Sequence, residues 1–240
     1  KDGGFKKYLD DKSINVKAVF SGDEEKTSEI RKIAPRVAFR NAFLSTSGQR
    51  KGRKSLHEFY SGWDAISRIS EGNPRWLIAT VDSLLATTDS LDNEIPQEKQ
   101  YQIILSTCET FASMIASTAL KNNMGISTNT PPYALLESIG DYFNNLLVSE
   151  AFSSDPAGTF IVDKQVNKDC ENALRIALNH GAIVALDKGQ DFWNYSDLYG
   201  MRFRISYLLS PKFELPLRME KKLNLSTIIS RSKSTKPSKK

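Results

Sequence analysis

From Lys54 to Ser70 the apolar residues Leu56, Phe59, Tyr60, Trp63, Ile66 and Ile69 recur at steps of three and four, the period that lines one face of a helix. A second helix is predicted from Pro74 to about Thr87. A third covers 98–121, with the stripe Tyr101, Ile104, Leu105, Cys108, Phe111, Met114 and Ile115. A fourth runs from Pro132 to about Glu150, carrying Leu135, Leu136, Ile139, Tyr142, Phe143, Leu146 and Leu147. Upstream, "INVKAVF" (14–20) alternates with a period of two and reads as a strand. Asp23 or Thr27 can cap a short helix over 28–34, and after Pro35 "RVAFRNAFL" reads as extended or semi-regular.

Past residue 150 the pattern changes. "SSDPAG" is a turn, "TFIVD" a strand, and "NKDCENALRIALNHG" a helix closed by Gly181. "AIVAL" is a strand, "DKGQDFWNYSDLYG" a turn-rich excursion, and "MRFRISYLL" another strand, after which "SPKFELPLRM" closes the unit. Helix, helix and a hairpin with a long tip is the order of a winged helix-turn-helix. After Leu225 the chain turns polar and basic, "STIISRSKSTKPSKK", and a disordered tail is expected over 226–240.

At 240 residues, 40% hydrophobic and 25% charged, the composition is that of a globular protein. No apolar run is long enough to span a bilayer and no signal peptide opens the chain, so the expected location is the cytoplasm. The chain begins without Met, and a piece of a longer polypeptide is expected. Cys108 and Cys170 fit neither a disulfide framework nor a metal spacing, and read as core thiols.

The net charge of +5 hides an asymmetry. Residues 1–60 hold 14 Lys/Arg against 8 Asp/Glu, and residues 218–240 hold 8 against 1. The middle, 61–217, holds 11 against 19. Basic ends flank an acidic body, which any claim of nucleic-acid binding must accommodate.

One turn stands out, "SEGNPRWLI" at 70–78. Gly72 suits the end of one helix, Asn73 the N-cap of the next, and Pro74 its first position. Arg75 is not explained by punctuation, because a cation in the first turn meets the positive end of the macrodipole. An anion such as a phosphate, held by Arg75 and the free N–H groups, resolves the conflict. The alternative is a surface arginine paired with a neighbour such as Glu71.

"FYSGWDAISRISEGNPRWLIATVDSLL" resembles the lid of AAA+ ATPases of the origin-recognition-complex type, particularly their bacterial branch. "GMRFRISYLLSPKFELPLRM" is similar to the C-terminal end of those bacterial proteins, and the resemblance covers about 40–218. It implies a mainly α fold, with a helical AAA+ lid domain (54–130) before a winged helix (131–225) and the disordered basic tail (226–240). Residues 1–53 would be the edge of an upstream ATPase core and a basic loop. It further implies that Arg75, with Gly72 and Asn73, faces the γ-phosphate of ATP as a second-sensor arginine, and that Mg²⁺ is held by a core absent from this chain. The partners implied are DNA or a protein, with AAA+ self-assembly, and a role in anti-phage defence or other DNA transactions.

The chain departs from the family pattern in lacking a phosphate-binding loop. The nearest string, Gly48-Gln-Arg-Lys-Gly52-Arg-Lys54-Ser55, places its second glycine one residue early. Neither His57 nor His180 belongs to a hydrolytic pattern, so ATPase activity is expected only together with an upstream core. In the helix-turn-helix reading, 167–179 is the reader helix. Lys168, Asn172 and Arg175 then face DNA, and Arg202 and Arg204 follow on the wing strand. Asp169 and Glu171 lie among them, and Asp187, Asp191 and Asp197 oppose Lys188 in the wing. Trp193, Tyr195 and Tyr199 either stack on bases or anchor the loop. Tail residues from Lys221 to Lys240 either add phosphate affinity or merely solubilise. Two other classes stay open: a stand-alone winged-helix regulator in which Arg75 is structural, and a non-catalytic scaffold whose winged helix binds protein.

Overall fold

A computed structural model describes residues 2–14, 24–45, 49–52, 54–88, 90, 93–120, 125–149, 151–187 and 197–234. Most of the strand expected at 14–20, residues 21–23 after it and most of the wing tip (188–196, with Lys188, Asp191, Trp193 and Tyr195) fall outside these residues, as does Gly48. The chain divides into two units, Lys1–Leu56 with Asn145–Pro156, and His57–Asn144 with Ala157–Lys240.

In the first unit, helix α1 (Gly3–Asp11) is capped by Asp2, whose Oδ1 accepts from the N–H groups of Gly4 and Phe5. Phe5 and Tyr8, three apart on α1, set their rings edge-on to Phe152 at 5.0 and 5.1 Å. Helix α2 (Glu24–Phe43) runs through Pro35, so 36–43 are helical rather than extended. Proline removes one helix hydrogen bond there. The helix continues because Phe39 and Phe43, one turn apart, are both buried, 5.2 Å between ring centres, with Arg40 beside them. Burial on one face outweighs the local penalty.

The second unit holds the remaining elements. The single helix expected over 54–70 is instead a 3-10 turn (His57–Phe59) and helix α3 (Trp63–Ile69). Gly62 breaks it, with φ +83° and its N–H donated to Gln100 Oε1 at 2.8 Å. The apolar period survives the break: Tyr60 is fully buried, and its hydroxyl donates to the Leu215 carbonyl at 2.7 Å. Helices α4 (Pro74–Leu85) and α5 (Gln97–Ala116) follow, α5 stopping five residues short of the expected end. Helix α6 (Pro132–Val148) belongs to this unit as far as Asn144.

Gly140 on α6 lies where a Cβ would meet Cγ, Cδ1 and Cβ of Phe213 at 2.5–2.9 Å. Overpacking of this kind costs about 1–3 kcal/mol, against about 1 kcal/mol of helix propensity gained by alanine. Because the clash reaches Phe213 Cβ, ring rotation does not relieve it. Gly140→Ala is therefore expected to lower the midpoint of chemical unfolding.

Strand β1 (Ala157–Ile161), helix α7 (Lys168–Asn179), β2 (Ile183–Ala185) and β3 (Arg202–Ile205) come next. A second 3-10 turn (Tyr207–Leu209) and the short helix α8 (Ser210–Phe213) follow them. The sheet order is β2-β3-β1-β4, where β4 is Lys221–Asn224, with β3 antiparallel to both neighbours. Phe160 faces Phe203 across β1 and β3, and both are fully buried. Ala173, Leu174, Ile176 and Ala177 supply the buried side of α7.

Like α1 and α8, the last two elements were not expected. Strand β4 (Lys221–Asn224) pairs parallel to β1, and helix α9 (Leu225–Ser234) occupies most of the segment expected to be disordered. Leu225 and Ile228, three apart, are fully buried, and the Ser226 N–H donates to Asp163 Oδ2 at 3.0 Å. Two anchors and a cap order a segment that its composition made look solvated. Among the described residues the fold is mainly helical with one small sheet, and no helix is long and apolar enough to cross a membrane.

Candidate functional site

Helix α3 ends at Ser70, and the next two residues turn left-handed, Glu71 at φ +54° and Gly72 at φ +70°. Glycine adopts that region freely, while glutamate is strained there. The Asn73 N–H then donates to the Ser70 carbonyl at 2.8 Å, closing the turn. Asn73 takes extended geometry as N-cap, its Oδ1 accepting from the Arg75 N–H at 3.0 Å. Pro74 fills the first helical position, where its missing N–H costs nothing. Gly72, Asn73 and Arg75 are thereby brought together in one tight, exposed turn.

The turn opens on a cleft of about 620 Å³. Asn73, Pro74, Arg75 and Trp76 of the α4 tip form one wall, and Phe111, Met114 and Ile115 of α5 form another. His180, the residue that ends α7, completes it. Trp76 packs edge-on against Phe111 at 5.3 Å, which fixes the α4 tip on α5. Arg75 is exposed, and among the described residues it has no ion pair. The carboxylate nearest in sequence, Glu71, is bound elsewhere: Arg204 meets it with two N–H groups at 2.5 and 2.7 Å. The Glu71–Arg75 pair considered from sequence is not formed.

The residues expected to face DNA are placed differently. Glu171, almost wholly buried, accepts from Lys168 at 2.8 Å and from Arg175 at 2.6 and 3.2 Å. Burial pushes its pKa up, but the hydrogen bonds from Lys168 and Arg175 outweigh that and hold it below the ordinary value. Asn172 donates to the Ser127 carbonyl at 2.8 Å. Beside it, Asp169 accepts from the Asn129 N–H and the Thr130 hydroxyl, so the loop before α6 covers the first turns of α7. On β3, Arg202 donates to Thr159 Oγ1 and the Glu220 carbonyl, and Arg204 to Glu71. Lys168 keeps most of its side chain in solvent; Arg175 and Arg204 do not.

Sequence reading missed two participants. Glu71 stood inside the quoted turn, but its partner is 133 residues away and left no local signal. His180 fits no hydrolytic pattern in the sequence, and only the fold brings it to the cleft. Cys108 is buried and its thiol pushed up to about 12, chiefly by burial, so it is no nucleophile at neutral pH. Among the described residues no cluster of His, Cys, Asp and Glu could hold a metal.

Neither the curated proteins nor the solved structures contain a match to this chain. A family model described as ORC-CDC6-like matches residues 1–225. With nearly the whole sequence covered, the chain belongs to the ORC-CDC6-like family.

Proposed function

We propose that the chain is the lid and winged-helix portion of an ATP-binding AAA+ protein, and that Arg75, set by Gly72 and Asn73, senses the terminal phosphate of ATP. One observation carries this reading: Arg75 lines an open cleft at the electropositive start of α4 while the carboxylate nearest in sequence, Glu71, is committed to Arg204. A phosphate there would meet the guanidinium and the helix tip together. ATP supplies the phosphoryl group. Mg²⁺ would be held by a core outside this chain, and self-assembly is expected as for other AAA+ proteins. Family membership supports the reading by making the chain an AAA+ ATPase-related protein.

The winged-helix portion would pass the nucleotide state to DNA or to a protein. Its element order, α6, β1, α7, β2 and β3 with β1 antiparallel to β3, supports that assignment. The internal commitments of Arg175, Arg202 and Arg204 and the acidic Asp169 and Glu171 favour a protein partner on this face. Base readout needs free donors and a concentrated positive surface. Anti-phage defence, in a cytoplasmic protein, is the role we propose from the bacterial resemblance; it predicts that phage plate better on cells lacking the gene.

The decisive experiment is the complete reading frame with ATP. An upstream phosphate-binding loop, and turnover that depends on Arg75, are the expected results. A frame without such a loop would leave a stand-alone module and end the ATPase reading. DNA binding, if present, should weaken steeply with salt, as phosphate contacts release counterions.

A further inference from the structure

We propose that Glu71 is the positioning residue for Arg75, and that its ion pair with Arg204 links the sensor turn to the central strand of the sheet. The proposal rests on the nucleotide-sensing reading of Arg75.

One carboxylate gathers four donors. Glu71 Oε1 accepts from Arg204 Nη1 at 2.5 Å, from Ser206 Oγ at 3.3 Å and from the Tyr207 N–H, and Oε2 accepts from Arg204 Nη2 at 2.7 Å. The Arg204 guanidinium also lies over the Tyr207 ring, 3.8 Å from its centre. Such a bidentate, stacked arginine is fixed in orientation as well as in charge.

The backbone of Glu71 carries the consequence. A glutamate at φ +54° is strained, and strain persists where surrounding contacts over-determine it. Here the side-chain contacts all come from 204–207, while the Glu71 N–H donates to the Arg68 carbonyl at 3.1 Å. Between Glu71 and Arg75 little slack remains. Gly72 is left-handed, Asn73 is locked as a cap, and the φ of Pro74 is set by its ring. A shift of the Glu71 carboxylate is therefore transmitted to the backbone of Arg75 at the tip of α4. At the other end, β3 pairs with both β1 and β2, so a pull on Arg204 reaches the whole four-stranded sheet. Contact at Arg75 and the geometry of the partner-facing sheet are in this way coupled through one ion pair.

Two readouts test this. In the chain itself, Glu71→Gln keeps an acceptor for Tyr207 and removes the charge, and Arg204→Lys keeps the charge and removes the fork. If the pair is a link, each raises amide hydrogen exchange by about tenfold both at 75–78 and at 203–207. Loosening confined to the mutated element would overturn the proposal. In the complete protein, Glu71→Gln should lower kcat for ATP by about tenfold to a hundredfold with KM nearly unchanged, and Arg204→Lys less. A merely structural role would move neither kcat nor the exchange of the distant element. If Arg75→Ala leaves turnover intact while both segments still loosen together, the sensor reading falls and the link stands. If Arg75→Ala slows turnover and Glu71→Gln does not, the sensor stands and the positioning role falls.

Discussion

Arg40→Ala is expected to cost about 3–5 kcal/mol, the loss typical when one member of a buried ion pair is removed. The Arg40 and Asp2 side chains are each only 2% exposed, with Nε 2.7 Å from Asp2 Oδ2. The same guanidinium donates to the backbone carbonyls of Leu147 and Ser149 at 2.7 and 2.8 Å. Truncation strands a desolvated carboxylate, the buried Leu147 carbonyl and the part-buried Ser149 carbonyl at once. Arg36–Asp155 is the natural control, since Asp155 is 60% exposed and such pairs contribute about 0–1 kcal/mol. Urea unfolding of Arg40→Ala and Asp155→Ala should separate them by more than about 2 kcal/mol, and equal midpoints would refute the assignment.

Acid should act on the same pair. Burial raises the Asp2 pKa, but hydrogen bonding and charge from Arg40, with the Phe5 and Gly4 N–H groups, hold it below 3.8. A carboxyl depressed in the folded state contributes stability that is fully present above its unfolded pKa and is lost as pH falls through the folded value. Stability should therefore drop below pH 3.8 in the parent, and the drop should be smaller in Asp2→Asn.

What was legible in the sequence follows from which interactions are local. Helices α4 to α7 were found within a few residues because apolar period and caps lie inside each segment, as Asn73 and Asn167 show. The turn at 70–75 was legible for the same reason. The misreadings came where distant residues decide. Pro35 marked a break that the Phe39–Phe43 face overrode, and composition hid the anchoring of α9 by Leu225 and Ile228. Similarly, Lys168, Asn172, Arg175, Arg202 and Arg204 have the residue types of a DNA surface. Whether a guanidinium is free depends on carboxylates and carbonyls that no spacing rule locates, such as Glu71 for Arg204 and the Glu220 carbonyl for Arg202.

Arg75→Ala is expected to slow ATP turnover by the complete protein by roughly 100- to 1,000-fold, the scale of one lost charge-stabilising donor in a preorganised site. Most of the loss should appear in kcat, because charge builds on the transferred phosphoryl oxygens in the transition state and a sensor arginine acts there. Arg75→Lys should recover only part, since an ammonium cannot present two parallel donors. The fold should respond with the opposite sign. A cation in the first turn of α4 opposes the macrodipole, and among the described residues Arg75 has no ion pair that offsets it. Its removal should thus leave the Tm unchanged or slightly higher, provided Asn73 still caps the helix. A structural arginine would lower both together. Divergence of activity and stability in a single variant is accordingly the signature of a residue placed for a ligand, and their parallel loss would assign Arg75 to the scaffold.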